Sequence, residues 1–164
     1  MRHSHYALLA LSVLFFAPAA HAGDFEIQLG ASDTKDQDTS GTVWVQSVGL
    51  DEPVGSSGRW QRESVGTVGY VHGRSEGGYG DNVWLLGVGQ RIRHVSEGGP
   101  SHWFVEANVL GAVGRTQAIS GPIQFGTALG WSGDRYQMLI RHVSNAGLRG
   151  PNRGETMLLF GASF

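Results

Sequence analysis

The residues of this chain best suited to chemistry are His142 and Ser144, inside the closing run of residues 140–164. They stand two positions apart, so on an extended strand their side chains project from the same face. An imidazole placed there can take the proton of a hydroxyl, the step that turns a serine into a nucleophile toward an acyl carbon. An H-x-S triplet alone is a weak signal, because a His and a Ser at a strand end are commonly just solvated. The elements that carry the pair decide what it can meet.

Those elements read as strands. After residue 22 there is no apolar run long enough for a membrane-spanning helix, and helical apolar spacing is missing. Short period-2 segments alternate with Gly/Ser/Asp clusters, which is the strand-and-turn pattern. It predicts strands over 24–32, 41–50, 59–73, 81–95, 102–114, 121–131, 135–145 and 155–164. In the last of these Leu158, Phe160, Ala162 and Phe164 share a face. In the sixth Ile123, Phe125, Leu129 and Trp131 oppose Gln124, Gly126, Ala128 and Gly130. In the fifth Val105 and Val109 would face out and Glu106 and Asn108 in. Apolar residues outward with small or polar residues inward is the requirement of a lipid-facing barrel. A soluble lipocalin-like barrel would invert it. The expected fold is all-β, an eight-stranded antiparallel transmembrane barrel of the outer membrane.

An even-stranded barrel of that kind has short periplasmic turns and longer outer loops. The first, third, fifth and seventh strands then run outward, which puts His142 and Ser144 at the outer end of the seventh. There they continue the lipid-facing row of Tyr136, Met138 and Ile140. A polar pair on lipid is costly, less so near the interface. A lipid of the outer leaflet is within its reach, and hydrolysis of an acyl ester is the chemistry implied. The tight turn at 132–134 fits this topology. The link at 51–58 is longer than a periplasmic turn should be.

Residues 1–22 read as a cleaved signal peptide: Arg2, an apolar stretch over 6–17, and Ala20-His21-Ala22 as the cleavage site. Residues 23–164 would then form one outer-membrane barrel domain. The 12 Lys and Arg against 14 Asp and Glu give no basic excess, so nucleic acid is not an expected partner. The chain has no Cys, which removes disulfides and thiolate chemistry. Its 26 Gly suit turns and crowded barrel interiors. The seven His are scattered without metal-ligand spacing, so no metal is expected.

The segment H-x-S-N-A-G-L-x-x-P-N-x-G, formed by His142, Ser144, Asn145, Ala146, Gly147, Leu148, Pro151, Asn152 and Gly154, resembles the signature of the outer-membrane lipid A 3-O-deacylases, the PagL family. The resemblance implies an eight-stranded barrel that removes the acyl chain ester-linked at position 3 of lipid A, through a Ser-His-acid triad on its lipid-facing surface. It makes Ser144 the nucleophile and His142 the base. Backbone N–H groups of Asn145, Ala146 and Gly147 would stabilise the oxyanion, with the Asn145 side chain assisting and Asn152 ordering the loop. Arg149 and Arg153, in the same outer loop, are read either as partners of substrate phosphates or as solvated loop cations. The acid of the family pattern falls two residues past the final glycine, where this chain has Thr156. Glu155 is the carboxylate nearest to that place, and a bulge at the strand start could turn it outward toward His142. No cofactor is implied. The expected partners are lipopolysaccharide and the outer-membrane bilayer, and a homodimer is left open.

One internal control exists. Residues 92–96 repeat the pentapeptide of 140–144 letter for letter, yet His94 and Ser96 would lie at the periplasmic end with no N-A-G-L after them. Trp44, Trp60, Trp84, Trp103 and Trp131 are expected as interfacial girdle residues. The competing readings are a non-enzymatic structural or adhesion barrel, in which His142 and Ser144 are replaceable, and an outer-membrane phospholipase.

Overall fold

The period-2 segments form eight antiparallel strands: β1 (Asp24–Asp33), β2 (Ser40–Val54), β3 (Trp60–Val71), β4 (Val83–His94), β5 (His102–Val113), β6 (Ile123–Ser132), β7 (Tyr136–Ser144) and β8 (Glu155–Ser163). Each pairs with its neighbour in sequence and β8 returns to β1, so the sheet closes without a free edge. The computed structural model describes residues 24–164 apart from 36, 56–57, 75–79, 96–101 and 151, and only the backbone of residues 24 and 50–52. The expected signal peptide and Ser96 lie outside the described residues.

Burial follows the alternation of the sequence. β6 and β7 alternate exposed and buried positions along their whole lengths, β7 ending on a half-buried Ser144. Leu29, Val88, Val105, Val109, Leu129, Ile140 and Phe160 each expose more than half of their surface. So large an apolar belt is unfavourable in water and is what hydrocarbon solvates. The barrel spans a membrane. Trp60, Trp103, Trp131 and Tyr136 ring the end that carries the turn at 133–135, with Trp103 and Trp131 directly paired. Trp84 faces out near the other end.

Trp44 departs from the expected girdle. The even positions of β2 face inward, and Trp44 is fully buried in the lumen with the Arg141 guanidinium 4.2 Å from its ring. Gly69, its cross-strand partner, makes room, since a Cβ there would stand 2.7 Å from the indole. The long 51–58 link is resolved as well. β2 continues through an irregularity between Leu50 and Pro53 and pairs with β3 as far as Val54. Only residues 55–59 are left between the two strands, a short link as a periplasmic end requires.

The lumen is filled by two kinds of packing. Arg91 bonds Glu26 at 2.7 Å and Glu106 at 2.9 Å, Arg141 bonds Glu106 at 2.8 Å, and Arg93 bonds Glu63 at 2.9 Å. Three carboxylates thus face three guanidiniums, and buried charge is tolerable only when paired in this way. Toward the other end Leu85, Leu110, Ile119, Val143, Met157 and Leu159 form an apolar layer. Arg141 and Val143 belong to these layers, and they flank His142 in sequence. The backbone that presents His142 is therefore held from inside.

Candidate active site

Because Arg141 and Val143 are drawn inward, His142 and Ser144 must project outward, His142 exposed and Ser144 half-buried. Across β6 they pair with Thr127 and Phe125. Across β8 His142 pairs with Thr156, and Thr156 pairs on its other side with Asp33 of β1. Thr127, His142, Thr156 and Asp33 thus make one polar row over four strands, all exposed. The sequence reading had singled out neither Thr127 nor Asp33. The parity of β1, with Phe25, Ile27, Leu29, Ala31 and Asp33 on one exposed face, is the signal that finds Asp33 once the barrel is closed.

His142 Nδ1 lies 3.0 Å from Thr156 Oγ1. With Nδ1–H donating to that hydroxyl, Nε2 is left as a bare acceptor, the tautomer a general base needs. The far edge of the ring rests on Gly154. A Cβ on Gly154 would stand 2.8 Å from Nε2, 2.5 Å from Cε1 and 3.5 Å from the Ser144 Cβ, so imidazole and serine share one glycine as their floor. Gly154 has φ +70°, a conformation easy only for glycine. Its carbonyl accepts a 2.7 Å hydrogen bond from Thr34.

Glu155 is not beside His142. The β7–β8 ladder runs from Tyr136 with Ala162 to Val143 with Glu155 in unbroken register, so the bulge needed to turn Glu155 outward is absent. Strict alternation sends it into the lumen, fully buried, with Oε1 2.5 Å from Arg74 Nη2. Arg74 also donates to the carbonyl and hydroxyl of Ser32 and to the Asp38 carbonyl. The pair clamps the loops after β1 and β3 onto the start of β8. No motif in the sequence marks Arg74, which comes from the loop after β3.

The loop after Ser144 is shaped by Asn145, which is buried. Its Nδ2 donates to Ser120 Oγ at 3.1 Å and to the Arg149 carbonyl at 2.7 Å, and its Oδ1 accepts the Gly147 N–H at 3.0 Å. The Asn145 N–H donates to Asn152 Oδ1 at 3.2 Å. So Asn145 and Asn152 build the loop, and two of the three expected oxyanion donors are already engaged. The Ala146 N–H has no partner among the described residues. Ala146 and Gly147 both have positive φ, 51° and 81°. A non-glycine residue held there is uncommon and stores strain. Arg149 is exposed, and Arg153 Nη1 donates to the Lys35 carbonyl at 2.9 Å, tying this loop to the one after β1. His94 stands at the opposite end, edge-on to Trp60 at 4.8 Å. Among the described residues no cluster of His, Asp and Glu could hold a metal.

A closed eight-stranded barrel with an apolar outer belt defines a class, the small outer-membrane β-barrels. The profile of the lipid A 3-O-deacylase (PagL) family matches residues 47–164. The chain belongs to that family of outer-membrane hydrolases. The crystal structure of the outer membrane enzyme PagL is similar, with a TM-score of 0.63 at 19% identity over 86% of this chain and 98% of that one, a likeness of fold. No curated protein sequence matches the chain.

Proposed function

We propose that this barrel hydrolyses the ester-linked acyl chain at position 3 of lipid A in the outer leaflet, with Ser144 as nucleophile and His142 as base. The observation that supports the reading is the shared Gly154 floor, from which a Cβ would reach 2.8 Å from His142 Nε2 and 3.5 Å from the Ser144 Cβ on the outward face. His142 takes the Ser144 hydroxyl proton as Oγ attacks the ester carbonyl, and the imidazolium then protonates the departing 3-hydroxyl of the lipid. Water, deprotonated by the same imidazole, releases the 3-hydroxy fatty acid from the acyl-serine. The Ala146 N–H, unengaged among the described residues and two positions past the nucleophile, suits the oxyanion. Arg149 and Arg153, in the loop between β7 and β8, suit the substrate phosphates.

Mass spectrometry of lipid A from cells expressing the wild type, Ser144→Ala and His94→Ala tests this. Loss of one 3-hydroxyacyl mass is expected with the wild type and His94→Ala and is absent with Ser144→Ala. Intact lipid A with a folded wild-type barrel refutes it. Fatty acid released from glycerophospholipid instead would make the protein a phospholipase.

A further inference from the structure

We infer that Asp33 completes the site: its carboxylate accepts a hydrogen bond from the Thr156 hydroxyl, whose oxygen accepts the Nδ1–H of His142. Asp33 is then a positioning residue, and β1 supplies through a threonine the negative charge that orients the base. This rests on Ser144 and His142 being nucleophile and base.

The argument starts from the threonine. A hydroxyl that accepts from His142 Nδ1, 3.0 Å away, has one hydrogen left to donate and needs an acceptor for it. Directly opposed residues on antiparallel strands have Cβ atoms roughly 4.5–5.5 Å apart. Thr156 has two such neighbours, His142 on β7 and Asp33 on β1. One is the base and the other is a carboxylate. Among the described residues the Asp33 carboxylate is engaged by no hydrogen bond or ion pair, in contrast to that of Glu155, which Arg74 holds, so it is free to take the Thr156 hydrogen. A carboxylate on the outward face of a lipid-facing strand is unfavourable without a partner, so its position asks for one.

The surroundings strengthen the link. Asp33, Thr39 and Thr156 line a recess of about 280 Å³ together with Ala31, Ile140 and Leu158. Its surface is chiefly apolar. An acyl chain lying in it would shut water away from Asp33 and Thr156 at its edge, and hydrogen bonds in series gain strength as the local dielectric falls. The His142–Thr156–Asp33 chain would therefore tighten when substrate is present, when the base is needed.

The test is steady-state kinetics on lipid A in detergent micelles, with release of the 3-hydroxy fatty acid measured by mass spectrometry and folding checked by electrophoretic mobility. Asp33→Asn keeps the size of the side chain and removes its charge. Its kcat should fall roughly 10- to 100-fold with KM within about twofold, the signature of an interaction used in the chemical step. Thr156→Val should show a similar loss, and adding Asp33→Asn to it should change nothing further. Thr156→Glu places a carboxylate directly on His142 and should restore kcat in the Asp33→Asn background. Asp134→Asn, at the opposite end, should match the wild type.

Full kcat in Asp33→Asn overturns the inference. So does a rise in KM alone, which would make Asp33 a substrate contact. So does a failure of Thr156→Glu to rescue, or independent losses in the double variant with valine. Wild type and Ser144→Ala in the same assay separate the two levels of the argument. An inactive wild type removes both, whereas an active wild type with an unaffected Asp33→Asn removes only this one.

Discussion

Replacing Gly154 by alanine adds a single methyl group against the His142 ring and within van der Waals reach of the Ser144 Cβ. That methyl would stand 2.5 Å from His142 Cε1 and 2.8 Å from Nε2, where ordinary contact begins at 3.4 Å, so the ring must retreat by about 0.9 Å. A misplacement near 1 Å can cost roughly 100-fold in rate, or about 2.7 kcal/mol in the barrier. The backbone at φ +70° adds a folding penalty of roughly 1–2 kcal/mol for any residue with a Cβ. Gly55 separates the two effects. It has φ +79° in the turn at the other end of the barrel, and a Cβ there meets nothing within 4 Å. The assay is kcat/KM for release of the 3-hydroxy fatty acid, alongside the thermal midpoint of the barrel. Gly154→Ala and Gly55→Ala should lose similar stability, but only Gly154→Ala should lose about 100-fold in activity. If a folded Gly154→Ala barrel works at the wild-type rate, His142 does not act from the position seen here.

Glu155→Gln should keep kcat within about threefold of the wild type, because Glu155 faces the lumen and Arg74. Its unfolding midpoint should fall, since the buried guanidinium loses its counter-charge and a broken buried pair costs up to about 3–5 kcal/mol; a large loss of kcat at unchanged stability would show that Glu155 does reach the site. Arg141→Met removes one of the two guanidiniums on Glu106 and the cation over Trp44. Arg91 remains on Glu106, so the expected loss is about 3 kcal/mol, below the upper end for a broken buried pair, read from urea unfolding. An unchanged midpoint would mean that the lumenal charges do not hold β7 in place.

Period-2 alternation made most of the barrel legible in the sequence. It gave the strand count, the outward faces of β6, β7 and β8, and the placing of His142 and Ser144 on lipid at one end. What escaped it are facts of closure and of the third dimension. That Asp33 neighbours Thr156 follows only when β1 meets β8, the contact most distant along the chain. That Trp44 is lumenal follows from its even position in β2, but the general preference of tryptophan for interfaces outweighed parity in that reading. The 51–58 link looked too long because a bulge inside a strand breaks the alternation by which strands are recognised. Arg74 lies in a loop, where no periodicity marks which side chain will turn inward. The resemblance pointed to this loop, yet only the hydrogen bonds separate Asn145 and Asn152, which fold it, from Ala146, whose N–H has no partner among the described residues.

The acid of the site shows how far a strand constrains its own chemistry. Glu155 is one residue from the place where a carboxylate would touch His142, and there are two ways to bring it there. Slipping β8 by one residue would turn Met157 and Leu159 out of the apolar layer as well, because a slip flips every side chain of the strand. Leu158 and Phe160 would be driven into the filled lumen in their place, and overpacking costs roughly 1–3 kcal/mol. A bulge would spare them but would draw Glu155 away from Arg74, leaving a buried guanidinium whose other bonds are to Ser32 and the Asp38 carbonyl. Losing one partner of a buried pair costs about 3–5 kcal/mol. Either route spends folding stability to gain an effect on rate alone. A group that already shares the outward face meets neither obstacle. Thr156 is that group, and Asp33 beyond it is the carboxylate that β1 brings to the same row.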